Sequence, residues 1–276
     1  MSSAATLAAS HGQSAKVGDA TKKKPGSAQY SFDDDSWSAT PAPVTNPPSG
    51  TIPKYPWREA IVTTTFWIGE QPSANNPVPN HKSCWDPKWA ENYGGTDSPK
   101  RAERLSSYIP RDFTPRQNPF YVALPYNDMN SKGHKPEAAQ IIPWYSQDFS
   151  SPDKSVCKGR WIAIRHGTKV CYAQWEDAGP FRTDHAAYVF GNERPKPNLN
   201  NGAGLDVAPA VRDFLGMDDT DITDWKFVDF AEVPSGPWAS FGDNNTFVIN
   251  RRAAEEKAQL ALAAARAAAS SATAVE

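Results

Sequence analysis

Cysteine is scarce, with 3 residues in a chain of 276, and there is no C-x-x-C pair. That excludes a disulfide framework and the common zinc spacings, and the odd count permits at most one internal bridge. The redox compartment is left open. Long apolar runs are also missing: nothing approaches the roughly 18 consecutive apolar residues of a membrane span. Nor is there an excess of one charge. Against 31 acidic residues stand 29 basic ones, a formal net charge of −2, so no footprint for nucleic-acid phosphates is expected. The 5 histidines show no ligand spacing, and neither a metal nor a cofactor is expected.

What is plentiful is an unusual mixture of 25 Pro and 17 Gly with 10 Trp, 9 Tyr and 12 Phe. It predicts many turns, few long helices, and flat side chains for a core or a sugar-binding surface.

The ends differ from the middle. In residues 1–50, 31 are Ser, Ala, Pro, Gly or Thr, and the large apolar residues are isolated. Such a segment cannot bury enough surface to offset its ordering entropy, so residues 1–54 are read as a disordered leader. It does not match a secretory signal: residues 1–10 carry no Lys or Arg, and Lys22 to Lys24 come too late. From 251 to 276, 12 of 26 residues are Ala. High helix propensity predicts a weakly packed helix over about 253–269, within a tail of 250–276. A single folded unit over 55–249 remains.

Inside that unit strands dominate. β-Branched and aromatic runs predict strands at 61–68, 120–124, 160–165, 168–175 and 225–230. The pair around His166 and Gly167 reads as a hairpin, with Cys171 opposite Ile162 and Cys157 opposite about Glu176. Helical signals are brief: 186–190 capped by Thr183 or Asp184, and 209–215 with Pro at its first turn and Gly216 as its stop. The long connections 70–117 and 127–156 are the kind that carry function or cover something. Scattered strands, two short helices and long loops suit a small closed β-barrel better than a βαβ sheet.

Two acids sit at strand ends among glycines, Asp177 and Asp206. Glycine lets a polymer approach the backbone, and a carboxyl between Leu205 and Val207 is set to have its pKa raised, as a general acid for a glycosidic oxygen requires. The plainer alternative makes Asp206 a brace for the 209–215 helix and Asp177 a turn residue. Trp85, Trp89, Tyr93, Trp144, Tyr145 and Trp238 either stack on sugars or pin loops to the barrel.

The run from Cys157 through the hairpin to Asp177-Ala-Gly-Pro-Phe181, followed by Gly204-Leu-Asp-Val-Ala-Pro-Ala-Val211, resembles the double-psi β-barrel of rare lipoprotein A and expansins. Leu124-Pro125-Tyr126 is similar to the Leu-Pro turn of that group, and Thr63-Thr-Thr-Phe-Trp67 resembles the opening strand of glycoside hydrolase family 45. The resemblance covers about 100 residues. It implies a mainly β, six-stranded double-psi barrel with long decorating loops, short helices and an Ala-rich C-terminal helix. It further implies a groove with Asp206 as essential acid and Asp177 beside it, and Thr65, Trp67, Glu70, Tyr126, Trp175 and Gly204 as substrate-binding positions. The implied partner is a cell-wall polysaccharide, peptidoglycan or cellulose-like, met by a monomer outside the cell or in a periplasm. The sequence departs from the family-45 pattern where its base follows the Trp, since Ile68 stands there, with Glu70 nearby. One acid without a base suits a lytic transglycosylase or an expansin-like loosening protein. The remaining alternative is a non-catalytic barrel binding a protein partner.

Overall fold

A computed structural model of the chain describes residues 54–74 and 76–273, with side chains through 266. The expected leader, Lys54 apart, lies outside the described residues.

The unit is a closed barrel of six strands. In chain order, the strands are β1 (Arg58–Thr65), β2 (Tyr121–Leu124), a small separate hairpin of β3 (Met129–Asn130) and β4 (Gly133–His134), then β5 (Arg160–His166), β6 (Lys169–Ala178), β7 (Leu205–Val207) and β8 (Thr220–Phe227). Around the barrel the order is β1-β7-β2-β6-β5-β8. β1 runs parallel to β7 and β2 parallel to β6, while the other four contacts are antiparallel. The mainly β class and the closed barrel are thus as expected from the strand runs, and the count of six strands is the one the resemblance implied.

Boundaries moved where local rules met the fold. β1 begins three residues earlier than predicted, with an irregular register between Arg58 and Ile61 where Ala60 takes φ 51°. It ends at Thr65, because the chain then turns away. β8 begins at Thr220, earlier than propensity indicates, since Asp221 and Asp224 pair with His166 at 3.2 Å and Arg165 at 2.7 Å. In the hairpin Cys171 lies opposite Ile164, not Ile162. All three thiols are free, Cys84 exposed and the other two buried.

The helices are short until the last: α1 (Trp89–Tyr93), α2 (Ala138–Ile141), α3 (Tyr145–Asp148), α4 (Ala186–Val189), α5 (Pro209–Leu215) and α6 (Thr246–Thr273). α5 matches its predicted limits, with Gly216 at φ 74° as its C-terminal cap. α4 has His185 at its N-cap, with no side-chain cap bond from Thr183 or Asp184. α6 starts inside the folded unit. Phe247 meets Trp161 and Phe230 edge-on, and Val248 is buried, whereas every residue from 249 to 266 is exposed. None of the described helices is long and apolar enough to cross a membrane.

Aromatic rings fill the core. Trp144, Trp175, Phe190, Trp225 and Phe227 contact one another at centroid separations of 4.8 to 6.3 Å. Truncating such a ring typically costs about 3–5 kcal/mol. The long loops are fastened in the same way. Trp89 and Tyr93 bury their rings against Tyr121, and Trp144 donates its indole N–H to the Val156 carbonyl at 2.7 Å.

Candidate functional site

β7 is only three residues long, yet it is wedged between β1 and β2. Leu205 and Val207 point into the core, which leaves Asp206 facing outward. Its cross-strand neighbours are Thr64 on one side and Ala123 on the other, and Ala123 in turn lies beside Asp177 on β6. Four adjacent strands therefore carry one row: Thr64, Asp206, Ala123, Asp177. Cross-strand partners share a face, and neighbouring strands lie about 4.7–4.9 Å apart, so the two aspartate Cα atoms are separated by ~9–10 Å. Ala123 keeps the space between them low. This row forms part of the floor of a groove of about 560 Å³, whose lining also includes Thr65, Glu70, Val78, Lys82, Cys84, Phe181 and Arg182.

Each carboxyl is held differently. Asp206 accepts the Thr64 hydroxyl hydrogen bond. Burial pushes its pKa up to about 7, with the charges of Glu70 and then Asp177 adding to the rise and the Thr64 bond opposing it. Asp206 makes no cap to α5, whose N-cap is Ala208 without a side-chain bond. Asp177 Oδ1 accepts the backbone N–H groups of Cys84 and Ala178, both at 2.8 Å. Its pKa rises to about 6, driven by burial and moderated by those two donors. Glu70 Oε2 accepts the Asn76 and Asn80 amides at 2.9 and 2.8 Å, and burial again outweighs these bonds to raise its pKa.

Glu70 reaches the groove because the backbone turns. Gly69 sits at φ 86°, and an added Cβ there would come 2.6 Å from Thr96 Oγ1. Ile68 is fully buried, its N–H bonded to the Tyr121 hydroxyl at 3.0 Å and its carbonyl to the Asp97 N–H at 2.9 Å. Tyr121 donates its own hydroxyl hydrogen bond to Asp97 at 2.9 Å, and buried Asp97 is paired with Arg104. This network under the turn fixes where Glu70 begins.

The expected substrate-binding positions divide. Thr65 and Glu70 line the groove; Trp67, Tyr126, Trp175 and Gly204 are not in its lining. Tyr126 is a core ring, edge-on to Phe190 at 5.2 Å with Lys135 over its face at 4.7 Å. Trp175 is also buried, but its indole N–H bonds the Asp177 carbonyl at 2.7 Å, bracing the acid's backbone from behind. Gly204 serves packing: a Cβ there would lie 2.4 Å from Pro195 Cγ and 2.7 Å from the Tyr188 hydroxyl oxygen. Trp67 is half-buried and holds Glu70 through its carbonyl at 3.0 Å. The loop rings Trp89, Tyr93, Trp144 and Trp238 are buried as well.

Sequence reasoning passed over Thr64, Cys84, Ala123 and Phe181. Thr64 had a signal, since it precedes Thr65 in a Thr-rich strand; Cys84 had none. Although Cys84 is exposed as a residue, desolvation around its sulfur and the charge of Asp177 raise the thiol to about 11, so it is a poor nucleophile at neutral pH. Among the described residues no group of three or more His, Cys, Asp or Glu could hold a metal. Compared with known proteins, the chain matches no family model, and no curated protein is significantly similar to it.

Proposed function

We propose that this chain binds a polysaccharide in the groove and acts on it with Asp206 as the acid that protonates a glycosidic oxygen. The row of Thr64, Asp206, Ala123 and Asp177 carries the reading. It sets carboxyl groups on one open floor, and one of them keeps its proton to about pH 7, as a general acid requires. The order of strands, with two parallel pairs flanking the antiparallel β2–β7 pair, supports the resemblance to the double-psi barrels of rare lipoprotein A and expansins.

Glu70 is the best second group. It lies two residues beyond Ile68, where the family-45 pattern has its base, and Gly69 turns it into the groove. One of its oxygens is committed to two amides, which leaves the other for a water. Its charge also raises Asp206 more than that of Asp177 does. In hydrolysis, Asp206 gives its proton to the leaving oxygen, water attacks the anomeric carbon, and Glu70 takes the proton that water sheds. Asp177, with a pKa near 6, is ionised at neutral pH and available to sugar hydroxyls. Activity is expected to fall above pH 7 as Asp206 loses its proton, and to fall in acid as Glu70 gains one.

The test is incubation with peptidoglycan and with cellulose, followed by product mass. Products one water heavier per cleavage, lost in Asp206→Asn, are expected. Anhydro-muropeptides would instead make the sugar's own hydroxyl the attacking group, without need of Glu70. Retention on insoluble glycan with no products would favour expansin-like loosening. Absence of both retention and products would overturn the reading.

A further inference from the structure

Among the large apolar side chains of the groove, Phe181 stands apart. Its ring is 42% exposed and lines the groove. It belongs neither to the buried core nor to the partly buried side chains packed on it, and it makes no ring contact with another aromatic among the described residues. The backbone makes this harder to account for. Phe181 has φ 58°, and the Arg182 N–H donates to the Pro180 carbonyl at 2.6 Å. A hydrogen bond spanning three residues around a left-handed centre is the γ-turn of the rare, strained kind. A bulky aromatic in that region is an outlier, where glycine would sit without penalty.

The fold thus holds a costly conformation at a residue whose ring adds little internal packing. Strain of this kind clusters at active sites and ligand clamps, and unlike Tyr108, whose ring at φ 63° packs against Phe120 and Phe214, Phe181 has no aromatic partner among the described residues to account for it. We infer that Phe181 is the sugar-stacking residue of the groove, offering its face to the apolar C–H face of a pyranose while the carboxyl floor engages the sugar's polar edge. This deepens the proposed function and rests on it. Of the other rings that the sequence offered for stacking, Trp89, Tyr93, Trp144 and Trp238 are committed to the interior. Trp85 is edge-on to Trp175 with its indole N–H on Asn127, and Tyr145 stacks on Phe149. None of the six lines the groove, which leaves the stacking role to Phe181. Val78, 59% exposed, adds a second apolar group to the same lining. A flat C–H face over a ring, with hydroxyls toward acids, is what a sugar presents and what an extended peptide does not.

The strain makes the inference separable from a structural role. In Phe181→Gly the turn relaxes, so the unfolding temperature should equal or exceed that of the unsubstituted chain, while glycan binding weakens. Binding is measured with cellohexaose and with soluble glycan strands released from peptidoglycan, using whichever the unsubstituted chain retains. Phe181→Gly and Phe181→Ala are expected to weaken binding roughly tenfold, and Phe181→Trp to stay within about threefold. Equal binding by Phe181→Gly would overturn the stacking role and leave the groove reading intact. So would an unfolding temperature several degrees lower, which would make the ring part of the packing. If the unsubstituted chain retains neither glycan, the groove reading falls and this inference falls with it.

Discussion

Asp206→Asn tests the electrostatics of the floor without reference to any substrate. In the native chain this carboxyl has its pKa raised from 3.8 to about 7, so between these values the folded state holds a proton that the unfolded state has released. Stability must then fall as pH rises from about 4 to about 7 and stay at the lower level above it. Roughly three units at about 1.4 kcal/mol each gives ~4 kcal/mol, and contact of the carboxyl with groove water brings the expectation to ~2–4 kcal/mol. Asparagine keeps the shape, still accepts the Thr64 hydroxyl, and never ionises. The variant should therefore be more stable than the unsubstituted chain by ~2–4 kcal/mol at pH 8, and within about 1 kcal/mol of it at pH 4.5. Urea unfolding followed by tryptophan fluorescence at both pH values measures this. The buried Glu176, raised to about 7, contributes a slope common to both proteins, and Asp177, raised to about 6, differs between them only through its mutual repulsion with Asp206, so the difference is read. Equal stability at pH 8, or a variant less stable there, would refute the argument.

Three further outcomes follow from the same geometry. Tyr121→Phe leaves the Ile68 N–H and one Asp97 oxygen without their partner; a loss of about 1–3 kcal/mol in unfolding free energy is expected, and an unchanged value would mean that water replaces the hydroxyl. Gly69→Ala drives a Cβ into Thr96 and places alanine at φ 86°, so a fall of more than ~1 kcal/mol in stability is expected, together with weaker turnover as Glu70 shifts. Iodoacetamide should label Cys84 slowly at pH 8 and faster toward pH 11, in line with its raised thiol, with Cys157 and Cys171 protected by burial until unfolding; labelling of Cys84 at pH 8 as fast as a free cysteine would contradict the raised thiol.

Much of the barrel was legible because its strands announce themselves locally. Residues 61–65, 121–124 and 160–165 are rich in β-branched or aromatic side chains, and α5 has Pro at its first turn with Gly216 after its end. The start of β8 was hidden because its aspartates earn their place through cross-strand partners, which propensity does not register. Asp206 and Asp177 could be singled out by their glycine neighbours, but not their shared row, which depends on Ala123 lying between them. Whether Glu70 faced the groove was undecidable from alternation, since the strand stops at Thr65 and Gly69 resets the direction. The rings could not be sorted from sequence: Trp175, Trp89, Tyr93, Trp144 and Trp238 suit either a sugar platform or a packed interior, and only the fold commits them to the interior beside the aliphatic residues of the barrel.

The row across β1, β7, β2 and β6 has a consequence for how such a groove can change over time. The interval between its two aspartates is counted in rungs of main-chain hydrogen bonding, a gauge that no surface substitution can stretch by a fraction. Variation in the loops can re-dress the walls, exchange a phenyl ring for another face, or alter which guest is admitted. The pitch of the acids stays where the ladder puts it. New specificities would arise by refurnishing the rim, while a new spacing would require a strand to slip by a whole register.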